Sequence, residues 1–431
     1  MEVLSVLTLL AVIVLAGALC SFFSRSLRLP KALLLLLSGM SLRFLLRSQP
    51  LGEWGMVFLS ALALLMLIMI VFEAGLQLRI REFDTLSGEA LRFAGAGLVL
   101  RLALISGAVY ALFSLRSFIG ALLFAVLVAP DWSMVQRVTG KESRVTEFLG
   151  RESRISSLLA IFAVFIVIGV VQTSEQTSGV LALDFIGQAA PVLQHLVTGV
   201  AVGVVLGLIG LRILRKVEAF SSLAVAGFVL FAFVLAESLR GNGVLAVAAL
   251  GLLAGNLGVR KRTGPAEVSA FFSGLSEWVA VGVFVLAGCV AEIPLNPVFL
   301  AKTLALFVLL VLVRFIAFLI ISIIPQGETG GTVVAGGAIR NIKNTLRWTL
   351  REKAFMSLSA PPGIVTAAIV LALWTLFAGQ ASSLYASGFP TELQVVLQAV
   401  VAVMIWSILG ALGAAAAARP RTAGPRASGL L

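Results

Sequence analysis

The sequence predicts an all-α membrane protein of about thirteen transmembrane helices, built as inverted repeats around two broken helices that cross. Three observations predict it. Of the 431 residues, 60% are hydrophobic and 12% charged, with a mean hydropathy of +1.09, the composition of an integral membrane chain. Apolar runs of membrane-crossing length recur from one end to the other. Two of these runs, the fifth and the twelfth, are interrupted by proline.

The runs fall at 3–23, 30–47, 55–76, 90–113, 117–138, 153–172, 186–211, 219–237, 242–257, 266–291, 298–323, 355–380 and 391–415. The first lacks a basic n-region and a small-residue cleavage site, so it reads as a retained helix. The third ends in Phe72-Glu-Ala-Gly-Leu76, which puts Glu73 near one membrane face. The fourth contains Arg101. The fifth contains Ala129-Pro130-Asp131, and the sixth opens on Glu152-Ser153. The eighth closes at Glu237, the tenth holds Glu277 and the eleventh holds Arg314. The twelfth carries Ser359-Ala-Pro-Pro-Gly-Ile-Val365. For Arg101, Glu237 and Glu277 the simplest role is an internal ion pair or a snorkelling end group.

Loop charges set the orientation. With thirteen spans, 25 of the 32 basic residues fall on one side, among them Arg25, Arg79, Arg137, Lys141, Arg215, Arg260, Arg340 and Lys353. That side is cytoplasmic, so the N-terminus lies outside and the C-terminus inside. The net charge of +12 therefore marks membrane topology, not a nucleic-acid partner. Cys20 and Cys289 form neither a disulfide framework nor a metal motif. The single histidine, His195, cannot make a His-rich metal site. The glycines of the 324–354 segment lack the strand, turn and Walker lysine of a nucleotide site. Residues 1–418 are expected to form a single transporter domain, with spans 4–6 and 11–13 as core and the rest as scaffold. A short basic cytoplasmic tail, 419–431, is expected to be disordered. No soluble catalytic domain fits, so the chain is not expected to be an enzyme, and no cofactor is expected.

Asp131 is the outstanding residue. A carboxylate at helix-centre depth costs about 2.5–3.5 kcal/mol on insertion scales, so it belongs on a cavity or a transport path. Pro130 removes a backbone donor and disfavours helix before it. Pro361, Pro362 and Gly363 unwind the twelfth span in the same way. Spans 5 and 12 are seven apart and so run in opposite directions. Paired broken helices in two inverted halves point to a site at the membrane midplane.

Several stretches, in order, resemble the monovalent cation:proton antiporters, the sodium/proton exchanger group. Phe72–Leu76 is similar to that family's span-3 ending, and Ala125–Val135 to its Thr-Asp-Pro break. Glu152-Ser153 resembles the opening of its span 6, Ala236–Asn256 is the closest stretch, and Val313–Ala317 resembles its span-11 arginine segment. Arg351–Ala368 resembles the approach to its Pro-Arg-Gly break. The resemblance implies a divergent member that exchanges Na⁺, or Li⁺ or K⁺, for protons by alternating access in the cell membrane, as a homodimer. It implies that Asp131 binds cation and proton, with Na⁺ bound there, and that Glu73 and Ser153 are neighbours. It implies that Arg314, with Glu152, balances charge.

Two positions depart from that pattern. The family's Asn-Asp pair of span 6 is here Ser156-Ser157, and its Pro-Arg-Gly is here Pro361-Pro362-Gly363. One acid and one base are lost together, so core neutrality can survive. Glu152 must then pair with Arg154, Arg314 or water. A single carboxylate still suffices for exchange, because it is neutral when protonated and neutral as an ion pair. Hydroxyls of Ser153, Ser156 and Ser157 supply neutral oxygen ligands. Two other functions fit the same sequence: a transporter of another small solute, and a non-transporting membrane homologue.

Overall fold

The computed structural model describes residues 2–27, 29–46, 53–78, 85–131, 144–176, 185–214, 222–257, 265–323, 348–359, 361–379 and 389–418. Every regular element among them is helical. In chain order the helices are α1 (Glu2–Leu27), α2 (Lys31–Leu46), α3 (Glu53–Gln77), α4 (Thr85–Leu100), α5 (Ser106–Phe113), α6 (Phe118–Leu127), α7 (Arg144–Gln176) and α8 (Phe185–Leu214). There follow α9 (Ser222–Ser238), α10 (Gly243–Leu257), α11 (Pro265–Val290), α12 (Pro297–Ile323), α13 (Leu350–Leu358), α14 (Ile364–Gly379) and α15 (Phe389–Ala418). A π-helical turn, Arg101–Ile105, joins α4 to α5.

A helix, or a pair of helix segments, lies on each of the thirteen apolar runs. Among the described residues, seven helices are long and apolar enough to cross a membrane, and five shorter apolar helices accompany them. Length alone accounts for seven crossings, not thirteen. Most basic loop residues that set the orientation, including Arg79, Arg137, Lys141, Arg215, Arg260 and Arg340, lie outside the described residues, as do 132–138 of span 5 and the tail 419–431.

Two starts differ from expectation. Helix α7 begins at Arg144 rather than at 153. Its first turns bury Val145, Phe148 and Leu149 in a cluster with Phe93 and Ala94 of α4, and Glu147 pairs with Arg151 at 2.8 Å one turn on. That amphipathic stretch is too polar to look like a span, yet one face is apolar enough to pack. Glu152 and Ser153 therefore lie well inside a helix instead of opening it. Helix α13 likewise starts early. Thr349 and Glu352 form a reciprocal capping box, which satisfies two free N–H groups at the helix start. Lys353, expected on a cytoplasmic loop, is consequently on a helix and only 8% exposed.

Glycine lets the helices approach closely. A Cβ at Gly39 of α2 would overlap the Val285 carbonyl of α11, and one at Gly288 of α11 would overlap the Leu36 carbonyl of α2. Helices α3 and α10 meet in the same way, through Gly75, Gly251 and Gly255. Lipid tails are as apolar as leucine, so close van der Waals contact, not hydrophobic burial, holds such pairs together. Gly288→Val is expected to lower stability by about 1–3 kcal/mol, read as a lower thermal unfolding midpoint in detergent; an unchanged midpoint would show that the contact is dispensable.

Candidate functional site

The two broken spans do meet. Ser117 caps α6, its side chain accepting from the Ile119 N–H at 3.2 Å. On α15, Glu392 accepts from the N–H groups of Arg116 and Ser117 at 2.5 and 3.2 Å. The helix ends at Leu127, as Pro130 demands. Helix α13 ends at Leu358, before Pro361 and Pro362, and α14 starts after Gly363. Pro130 and Pro362 then lie side by side as an antiparallel bridge. The crossing and its opposed directions are those the sequence predicts.

An interrupted helix frees carbonyls that hydrocarbon cannot satisfy. Here each break repairs the other. The Asp131 N–H donates to the Pro361 carbonyl at 2.8 Å. The Thr366 hydroxyl on α14 donates to the Leu127 carbonyl at the end of α6, at 2.7 Å. The Asp131 carboxylate lies against the Gly363 Cα, so close that any Cβ there would overlap it. Asp131 is 6% exposed.

Behind the crossing lies a cavity of about 40 Å³, with Arg101, Pro130, Glu152, Arg314, Ser357 and Pro362 on its wall. That volume holds about two or three waters. Arg314 of α12 donates from Nη2 to Glu152 Oε2 at 2.6 Å, with the two side chains 10% and 1% exposed. The guanidinium carbon also lies 5.7 and 5.9 Å from the ring centres of Phe93 and Phe318, which themselves stack at 3.9 Å. Cation–π attraction adds to the ion pair. The other Glu152 oxygen, Oε1, accepts from the Ser156 hydroxyl at 3.3 Å. Of the three partners open to Glu152, the structure selects Arg314. Arg154 instead donates to its own helix at the Gly150 carbonyl.

The remaining candidates divide. Ser153, Ser156 and Ser157 are all buried on α7. Neither they nor Asp131 line the cavity that holds Glu152 and Arg314. Glu73, partly buried on α3, accepts from Gln77 at 2.9 Å and from Ser276 of α11, so its hydrogen bonds run towards α11. Two bystanders behave as simple structural groups. Glu237 accepts the Gly243 N–H at 2.8 Å at the start of α10, and Glu277 pairs with Lys31 at 3.5 Å near the surface.

Sequence reasoning undervalued Arg101 and Lys353. For Arg101 the sequence favours an ion pair or a snorkelling end group, yet the residue lines the cavity from the π-helical turn. Its placement among apolar residues was a visible signal; the turn that aims it inward was not. Ser407, inside the apolar α15, also reaches the cavity wall.

The family model described as "Sodium/hydrogen exchanger, transmembrane" matches residues 10–417. The chain belongs to the sodium/hydrogen exchanger family. Its fold is similar to that of the sodium proton antiporter MjNhaP1 from Methanocaldococcus jannaschii at pH 8, with a TM-score of 0.73, 19% identity, and coverage of 96% of this chain and 100% of that one. An electron-microscopy map of MjNhaP1 gives a TM-score of 0.70 at 19% identity, covering 96% of each chain. The all-helical architecture of this exchanger-family chain is thus the antiporter fold.

Removing one partner of a buried ion pair strands the other charge. Glu152→Gln is expected to destabilise the protein by about 3–5 kcal/mol. The double variant Glu152→Gln with Arg314→Met should lose less than the sum of the single losses. Unfolding curves of the four proteins in detergent measure the coupling; strictly additive losses would deny the pair its role.

Proposed function

We propose that the chain exchanges a monovalent cation, sodium first with lithium or potassium as alternatives, for protons by alternating access, with Asp131 as the exchanging group. The observation that carries this reading is the position of Asp131, buried where two interrupted helices cross and pressed against Gly363. Membership of the sodium/hydrogen exchanger family supports it, as does the fold shared with a sodium proton antiporter.

One carboxylate can be loaded in two ways. A proton or a cation neutralises it, and the neutral form crosses the dry core at lower cost than the bare anion. Hydroxyls of Ser153, Ser156 and Ser157 supply neutral oxygen ligands, and Glu73 is a second carboxylate on the route. Arg314 and Glu152 remain paired throughout and keep the local charge fixed. Spans 4–6 and 11–13 form the moving core and the other spans the scaffold. The protein works as a homodimer in the cell membrane, with its N-terminus outside and its C-terminus in the cytoplasm. The chain has no catalytic chemistry and needs no cofactor.

The serines at 156 and 157 keep a second reading in view, a non-transporting relative of the same architecture. Proteoliposomes separate the two. The native chain should dissipate a pH gradient on addition of sodium, and Asp131→Asn should fall to the level of empty vesicles while eluting as a folded particle. Equal sodium-driven proton flux in Asp131→Asn would remove Asp131 from the mechanism. Absence of flux from the native chain with sodium, lithium and potassium alike would favour the non-transporting reading.

A further inference from the structure

Arg101 is a deeply buried charge that the exchange reading leaves unused. It opens the π-helical turn Arg101–Ile105 and is 8% exposed. Such turns recur at functional sites, because the additional residue re-aims side chains. Here the guanidinium faces the same cavity as Arg314 and Glu152. Among the described residues the Nε of Arg101 has no hydrogen-bond partner, and neither does the Nε of Arg314. A buried guanidinium donor without an acceptor costs more than an ordinary unmade hydrogen bond.

The described carboxylates on the cavity wall do not meet that demand. Glu152, the acid on the cavity wall, already accepts from Arg314 on one oxygen and from Ser156 on the other. Among the described residues the wall therefore carries two guanidinium groups against one carboxylate. The sign holds across the wider core. Among the described side chains with no more than a tenth exposed, the cations are Arg101, Arg314 and Lys353 and the acids are Asp131 and Glu152. A hydrated alkali cation would meet net repulsion in this cavity, so it is not an extension of the cation site.

We infer that the cavity between the Arg101–Ile105 π-helical turn, α7 and α12 binds a small monovalent anion of halide size, held by the guanidinium groups of Arg101 and Arg314. Its charge offsets the excess positive charge that one carboxylate leaves on the wall. Ser407 of α15 also lines the cavity and brings a hydroxyl to its wall. Ser357 is not, because its hydroxyl proton goes to the Lys353 carbonyl at 2.8 Å. The volume of about 40 Å³ suits a chloride or bromide ion with one water and excludes a large organic anion such as gluconate.

The test uses the purified full chain in detergent, with sodium constant and gluconate exchanged stepwise for chloride or bromide. The native protein should show a saturable rise of several degrees in its unfolding midpoint. Arg101→Gln should need at least about tenfold more chloride for the same rise, and Arg101→Lys should fall between the two. Equal midpoints in chloride and gluconate, or an unchanged chloride dependence in Arg101→Gln, would overturn the site. Should Arg101→Gln fail to fold, crystals of the native protein in bromide decide: an anomalous peak within hydrogen-bond reach of Arg101 is expected, and its absence contradicts the inference. No ion gradient enters these readouts, so their outcome is independent of whether cations are exchanged.

Discussion

The backbone contact between two interrupted helices is the constraint on which the rest of this structure depends. Three prolines at the crossing, Pro130, Pro361 and Pro362, have no N–H to give, and the helix ends there free carbonyls in a buried part of the helix bundle. Alone, either break would be costly. Together they satisfy each other, through Asp131 N–H to the Pro361 carbonyl at 2.8 Å and the Thr366 hydroxyl to the Leu127 carbonyl at 2.7 Å. The same contact fixes the Asp131 carboxylate, because its backbone is tied to one proline and its side chain abuts Gly363. Geometry at the crossing thus follows from backbone accounting, and the position of the acid follows from the geometry.

Charge in the core obeys a second, weaker constraint. Glu152 and Arg314 are a tight buried pair at 2.6 Å, further held by Ser156 and by the Phe93–Phe318 stack. Desolvation makes such a pair costly to split rather than strongly stabilising in itself. Serine stands at 157 and proline at 362, where the family resemblance implies an acid and an arginine. Those two losses cancel in charge. Arg101 and Lys353 are then additional, which leaves more buried cations than carboxylates among the described residues. The anion inferred for the cavity is a direct consequence of that imbalance.

How much of this was legible in the sequence depended on the kind of signal. Helix breaks at Pro130 and at Pro361-Pro362-Gly363 were readable because proline acts locally and without regard to context. Their opposed directions were readable because spans seven apart run opposite ways, and their meeting because paired breaks in inverted halves point to one site. The depth of Glu152 was not, since the first turns of α7 look like a polar loop until Val145, Phe148 and Leu149 find Phe93. Lys353 escaped for a related reason: a capping box at Thr349 starts a helix within a basic stretch that charge counting assigns to a loop. The inward aim of Arg101 depends on a π-helical turn, a packing outcome with no sequence signature in its apolar surroundings.

A methyl group added at position 363 tests the central claim most directly, because it alters neither charge nor titratable groups. Sodium-driven proton flux in proteoliposomes should be lost in Gly363→Ala, as the new Cβ displaces the Asp131 carboxylate, while the protein still inserts and elutes as a folded particle. Native flux from Gly363→Ala would mean that the acid is not held by the crossing, and the account of this site would fail.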